Sequence, residues 1–196
     1  MDVRRTTLMQ QAAFTVVAIG WRSVQQRRRT GSSGVVIRRE RGTAATGAGL
    51  LLAVGVAALA VGTARQPARA WSPSGSLGAA AMLAGTGITL AAQQAMGASW
   101  RIGVDPDERT ALVTTGPFRR VRNPIFSGML LFAAGNALAV PNRLTVTGAL
   151  HLAAGITAQV VLVEEPHLRR QHGDRYTHYA ASSGRFLPRS TGRNPR

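Results

Sequence analysis

Four apolar runs, nearly free of charge, limit what this chain can become: Thr43 to Thr63, Leu77 to Gly97, Ile125 to Val140 and Leu144 to Val163. The first carries no charged side chain and has about the 20 residues that a helix needs to cross a bilayer. The second holds Gln93 and Gln94 near its end, the third holds Asn136 between Pro124 and Pro141, and the fourth holds His151 and Gln159. A buried soluble helical core is the competing reading. Four such runs in a chain of 196 residues weigh against it. The last two are separated only by Pro141, Asn142 and Arg143, which predicts a tight antiparallel helical hairpin. Small residues recur within the runs (Ala81 and Gly85, Gly47 and Gly49), as close helix packing in lipid requires. Leu8 to Trp21 is more ambiguous. It follows Arg4-Arg5 but lacks a small-residue cleavage site, so it is either a short first span or an interfacial helix. The expected class is an all-α membrane protein, a bundle of four to five transmembrane helices.

Charge gives the orientation. The formal net charge is +16, and all 24 basic residues are arginine. They gather at 22–41, 101–122 and 169–196 rather than along one folded face, and aromatics are only 5% of the chain. That pattern fits basic membrane loops and not a nucleic-acid surface. Alternating through the runs puts 22–42, 98–124 and the tail from Glu164 on one side, with the arginine-poor 64–75 and 141–143 on the other. Arginine-rich loops stay in the cytoplasm, so the expectation is an integral protein of a bacterial cell membrane with its C-terminus cytoplasmic. No cysteine is present, which excludes thiolate catalysis and cysteine-based zinc sites.

Two stretches are richer than linkers. The connector "SWRIGVDPDERTALVTTGPFRRVRNP" contains an Asp105-Pro106-Asp107 turn signal, a β-type "ALVTTG" segment and two prolines that fix the backbone around Arg119, Arg120 and Arg122. Arg119 and Arg120 fit contact with anionic headgroups as well as they fit a functional role. In the tail, Glu164 and Glu165 stand at the end of the last run, where negative charge opposes the helix dipole. Ionisable groups at membrane depth mark function. Pro166 is expected to start a short helix that Gly173 ends, and Asp174 to cap another bearing Tyr176 and Tyr179 on one face. His167, His172 and His178 invite a metal reading, but spacings of five and six do not share a helical face, so no metal is expected. No G-x-S-x-G elbow occurs, and "GTGITL" lies in an apolar run without the strand that a dinucleotide loop needs.

Together the two stretches resemble the isoprenylcysteine carboxyl methyltransferase family and, more distantly, the phospholipid N-methyltransferases. The first block is carried by Gly116, Pro117, Phe118, Arg119, Arg122, Asn123, Pro124, Phe126 and Gly128. After the hairpin follow Glu164, Glu165, Leu168, His172, Gly173, Tyr176, Tyr179, Arg185, Phe186 and Pro188. Asn123 stands where the family has histidine, and Phe118 and Phe126 where it has tyrosine. The resemblance implies variable membrane helices over 1–97, a methyltransferase core over 98–188 and a disordered basic tail over 189–196. It implies S-adenosylmethionine as methyl donor, held by Gly116, Pro117, Arg122, Asn123, Pro124, Phe126, Glu164, Glu165, Tyr176, Tyr179 and Arg185. Glu164, Arg169 and Asn123 are the implied catalytic residues. The implied acceptor is lipophilic, a carboxylate such as a prenylated one, with a phospholipid or small thiol as the alternative. The partners are then the bilayer and that acceptor. A non-catalytic membrane interaction protein is the alternative of another class.

Overall fold

The computed structural model describes residues 2–34, 43–100 and 111–189. Its helices are α1 (Val3–Thr15), α2 (Arg22–Thr30), α3 (Thr43–Arg65), α4 (Pro73–Met96), α5 (Pro124–Ala139), α6 (Arg143–Ala158), α7 (Glu165–His172) and α8 (Asp174–Ser182). A π-helical turn, Val16–Trp21, joins α1 to α2, and another, Gln159–Glu164, joins α6 to α7. Thr43–Arg65, Pro73–Ser99 and Arg143–His172 are long and apolar enough to cross a membrane. Pro124–Ala139 is apolar but has 16 residues, about 24 Å of helix against the roughly 30 Å hydrocarbon core. The chain is an all-α membrane protein.

Glycine places the helices. Among apolar helices in lipid there is no hydrophobic gain from pairing, so close backbone approach and van der Waals contact take its place. Gly78 and Gly85 of α4 face Gly135 and Gly128 of α5, while Gly55 and Gly62 of α3 face Gly148 and the start of α6. A Cβ at Gly85 would stand 2.5 Å from the Gly128 carbonyl oxygen, and one at Gly148 would stand 2.9 Å from that of Gly55. The expected α5–α6 hairpin forms, but its arms lean elsewhere: the intimate antiparallel pairs are α4 with α5 and α3 with α6. Gly47 and Gly49, expected at a seam, have no neighbour within 4 Å of a built Cβ. The turn between α5 and α6 is fixed by an Asn142–Thr145 capping box, and Asn142 Nδ2 also donates to the Gly62 carbonyl.

The first segment runs end to end along this bundle. Val3 N donates to the Arg69 carbonyl at one end, and Arg22 reaches the Gly97 carbonyl at the other. Between them Gln10 donates to the Ala79 carbonyl, Gln11 to Leu59 and Thr63, and Phe14 packs on Phe132 with ring centroids 4.5 Å apart. Leu8–Trp21 therefore lies along the bundle, and it is not one of the three spans that length and hydropathy identify among the described residues. Its polar residues face inward, as hydrogen-bonding glue between helices, so hydropathy underrates it. Arg22, counted above with the loop arginines, is helical and buried.

Other expectations change. Asp174 does not cap α8; Gly173 does, and its φ of +53° makes the turn that separates α8 from α7. Residues 111–114 form no strand, and among the described residues the one β-bridge joins Val121 to Gly184. The Asp105-Pro106-Asp107 turn, residues 35–42 of the basic loop and residues 190–196 of the tail lie outside the described residues.

Candidate functional site

The chemistry-bearing residues meet where the tail crosses the start of α5. Gly116 opens a short 3-10 turn, Gly116–Arg119, with φ of +59°, and Pro117 fixes its next position. The chain then pairs with the tail: Arg122 N donates to the Gly184 carbonyl at 2.8 Å, and Gly184 N donates to that of Arg120 at 3.0 Å. Pro124 begins α5, as a proline in the first helical turn should. Asn123 precedes it, and both its backbone N–H and its Nδ2 donate to the Arg185 carbonyl at 3.2 Å. Ser127 Oγ extends the seam to the Phe186 carbonyl at 2.6 Å.

Inside the seam sits an ion triad. Glu165 Oε1 accepts from Arg122 Nε at 3.0 Å and from Arg185 Nε at 2.8 Å, and Oε2 accepts from Arg185 Nη2 at 2.9 Å. The Glu165 side chain is only 7% exposed and that of Arg122 13%, while that of Arg185 is 41% exposed. Arg122 Nη1 also donates to the Ser183 carbonyl at 2.7 Å. Two guanidinium groups and one carboxylate leave a net charge of +1. Such a centre favours a further anion at its open, Arg185 side.

Neighbouring residues on a helix point about 100° apart, and the adjacent π-helical turn shifts which of the two carboxylates faces the triad. A π turn adds one residue to the helical register, and such turns recur at functional sites. Here Glu165 is turned into the triad, whereas Glu164 is half-buried with its own contact. Tyr176 and Tyr179 meet edge to face at 6.2 Å, and the Tyr179 hydroxyl donates to the Phe118 carbonyl at 2.7 Å. Burial pushes the Tyr179 phenol up to about 12. Burial also raises Tyr176, and the Glu165 charge adds to that. Both stay protonated at neutral pH, and neither is a proton acceptor there.

The structure thus gathers Gly116, Pro117, Arg122, Asn123, Pro124, Glu165, Tyr179 and Arg185 around one seam, with Tyr176 and Glu164 beside it. Phe126 instead packs on the core of Leu59, Ala133, Leu152 and Ile156. Arg169 is exposed on α7. Sequence reasoning missed Ser127, Ser183 and Gly184. Ser183 and Gly184 act through backbone carbonyls, which leave no mark in residue types. Grooves of about 510 and 540 Å³ lie along α6 and between α3 and α6, lined by residues such as Ala154, Thr157, Leu51 and His151, and Leu162 lines both. They are open apolar surface, and the seam carries the charge. Among the described residues no three histidine, aspartate or glutamate side chains converge to hold a metal.

The sequence model of the family described as phospholipid methyltransferase matches residues 74–175. The match spans α4 to the first turn of α8. It includes Arg122, Asn123 and Glu165, and leaves α1–α3, Tyr176, Tyr179 and Arg185 outside. No curated protein matches the chain.

Proposed function

This chain belongs to the phospholipid methyltransferase family, and from that premise we propose that it moves the methyl group of S-adenosylmethionine to a lipophilic acceptor at the connector–tail seam, a carboxylate first among acceptor classes. It is a membrane methyltransferase by family and fold. The observation that carries the finer reading is the Arg122–Glu165–Arg185 triad, which pins the tail across the end of the membrane helices. Its donor set fits the methyl donor. The net positive triad suits the carboxylate of the donor's amino-acid end, and half-buried Glu164 suits its cationic groups. The backbone around Gly116, Pro117, Asn123 and Pro124, with Tyr176 and Tyr179 behind it, would hold the rest. Arg169 stands at the rim for the acceptor.

When bound, S-adenosylmethionine would supply an electrophilic methyl group to a carboxylate oxygen, with S-adenosylhomocysteine leaving as the C–S bond breaks. No proton needs to leave the acceptor, so placement and water exclusion are what the protein supplies. That matches the side chains present. Asn123 cannot titrate, Glu165 is engaged by two arginines, and both phenols are held protonated. The family's description favours a second reading, a phospholipid amine, whose methylation needs a proton acceptor.

The acceptor enters from the bilayer, because the described residues form no separate soluble domain over the seam. Each methylene of a tail left in hydrocarbon is worth about 0.8 kcal/mol. Protein in nanodiscs should therefore pass label from S-adenosylmethionine to long-chain or prenylated acids far faster than to the same acids without tails. Equal rates would rule out lateral entry, and label appearing only in a phospholipid amine would move the reading to the second acceptor.

The seam end is the cytoplasmic one. Exposed Arg27, Arg28, Arg29, Arg119, Arg120, Arg169 and Arg170 cluster at that end of the helices. Reporter fusions after Arg41, Ser99 and Arg189 should read cytoplasmic, and fusions at Ser72 or the N-terminus external. An external signal at Arg189 would reverse the topology.

A further inference from the structure

We propose that Arg22, supplied by a helix outside the family-matched region, is a positioning residue that sets where the connector rests against α4. Arg22 is 3% exposed, and among the described residues no carboxylate meets it. A buried arginine in that state is costly unless other groups take up its charge. Here three do. Nη2 donates to the Gly97 carbonyl at 2.5 Å and to that of Gln93 at 3.3 Å, at the negative end of the α4 dipole. Nη1 donates to Gln25 Oε1 at 3.1 Å. The guanidinium carbon lies 4.9 Å from the ring centroid of Trp100, itself 2% exposed. Two glutamines brace the contact: Gln93 Nε2 donates to the Ala18 carbonyl, and Gln26 Nε2 to that of Ala98.

The π turn Val16–Trp21 ends immediately before Arg22, as the turn Gln159–Glu164 ends immediately before Glu165. Each change of register precedes a buried charge that ties two stretches of chain together. The path from Arg22 to the seam is short. Arg22 holds Gln93 and Gly97. Ala95, between them, is the nearest neighbour of Gly116, at 3.5 Å from a built Cβ. Two residues on, the Phe118 carbonyl accepts from Tyr179. A displaced α4 terminus therefore displaces the Gly116–Phe118 turn. The consequence for cofactor rests on the proposed methyltransferase reading; the clamp itself does not.

The test compares wild type, Arg22→Lys and Arg22→Gln in nanodiscs. Lysine keeps the charge but loses the planar fork that reaches both carbonyls and stacks on the indole. Hydrogen exchange over 111–122 should quicken in both variants while α5 and α6 stay protected, which separates the clamp from general unfolding and needs no ligand. Where wild type binds S-adenosylmethionine, a seam ordered only part of the time should weaken binding about tenfold with the rate at saturation nearly kept, and lysine should recover part of the loss. If Arg22→Gln does not fold, Arg22→Lys carries both readouts. Unchanged exchange over 111–122 in a folded variant would overturn the proposal. So would unchanged affinity in a variant of a chain that binds the donor.

Discussion

Replacing Glu165 by alanine is expected to release the tail from the start of α5 and lower the thermal midpoint by about 6–12 °C. The geometry of the triad sets the size of the drop. Glu165 is nearly sealed from water and accepts three hydrogen bonds from two guanidinium groups. Removing one member of a buried ion cluster leaves the others charged and unpaired, at a cost of about 3–5 kcal/mol. Arg185, 41% exposed, can turn to water, which places the cost near 3 kcal/mol. At the 2–4 °C per kcal/mol of chains this long, that gives the stated drop. Glu165→Gln should fall less, because an amide oxygen still accepts from one arginine. Protease cleavage near 183–186 should quicken in the alanine variant before the rest of the bundle opens. A midpoint within 2 °C of wild type would show that the triad is solvated and does not hold the tail.

The second large effect concerns two glycines on one helix. Gly85→Leu should abolish recovery of monodisperse protein, while Gly87→Leu should leave it unaffected. A Cβ at Gly85 meets backbone atoms, the Gly128 carbonyl oxygen at 2.5 Å and Phe132 N at 2.7 Å, which cannot rotate away. The α4–α5 seam would have to part along its length, beyond the roughly 1–3 kcal/mol of ordinary overpacking. Gly87 has nothing within 4 Å, and leucine there meets only lipid and favours the helix. Size-exclusion profiles decide the matter. Equal profiles for the two would mean that α4 and α5 do not pack through this face.

Much of this was legible in the residues. The four apolar runs became helices because a helix satisfies its own backbone groups in hydrocarbon, and continuous apolar runs lack the alternation of a barrel strand. Pro124 and Gly173 stand at the boundaries where proline and glycine belong. The shared face of Tyr176 and Tyr179 follows from a spacing of three. Gly55 and Gly62, Gly78 and Gly85, Gly128 and Gly135, and Gly148 and Gly155 each repeat at seven, so the seams were readable too. Ala81 and Gly85 do lie on the α4–α5 seam, whereas Gly47 and Gly49 do not, and residues two apart point to different faces of a helix. The first helix was harder to place. Its inward side carries Thr7, Gln10 and Gln11, and α2 behind it carries Arg22 and Gln26, so a hydropathy criterion built on apolar content passes over both. The difference between Glu164 and Glu165 was not legible. Which of the two enters the triad depends on helical register, and the π turn that shifts it has no signature in a run such as Gln159–Glu164.

Titration of S-adenosylmethionine into the wild-type protein in nanodiscs tests the methyltransferase reading most directly. The seam predicts saturable binding of one donor per chain, displaced by S-adenosylhomocysteine and weakened at least tenfold in folded Glu165→Gln protein. Absence of saturable binding, or equal affinity in wild type and the glutamine variant, would contradict a donor site at the seam.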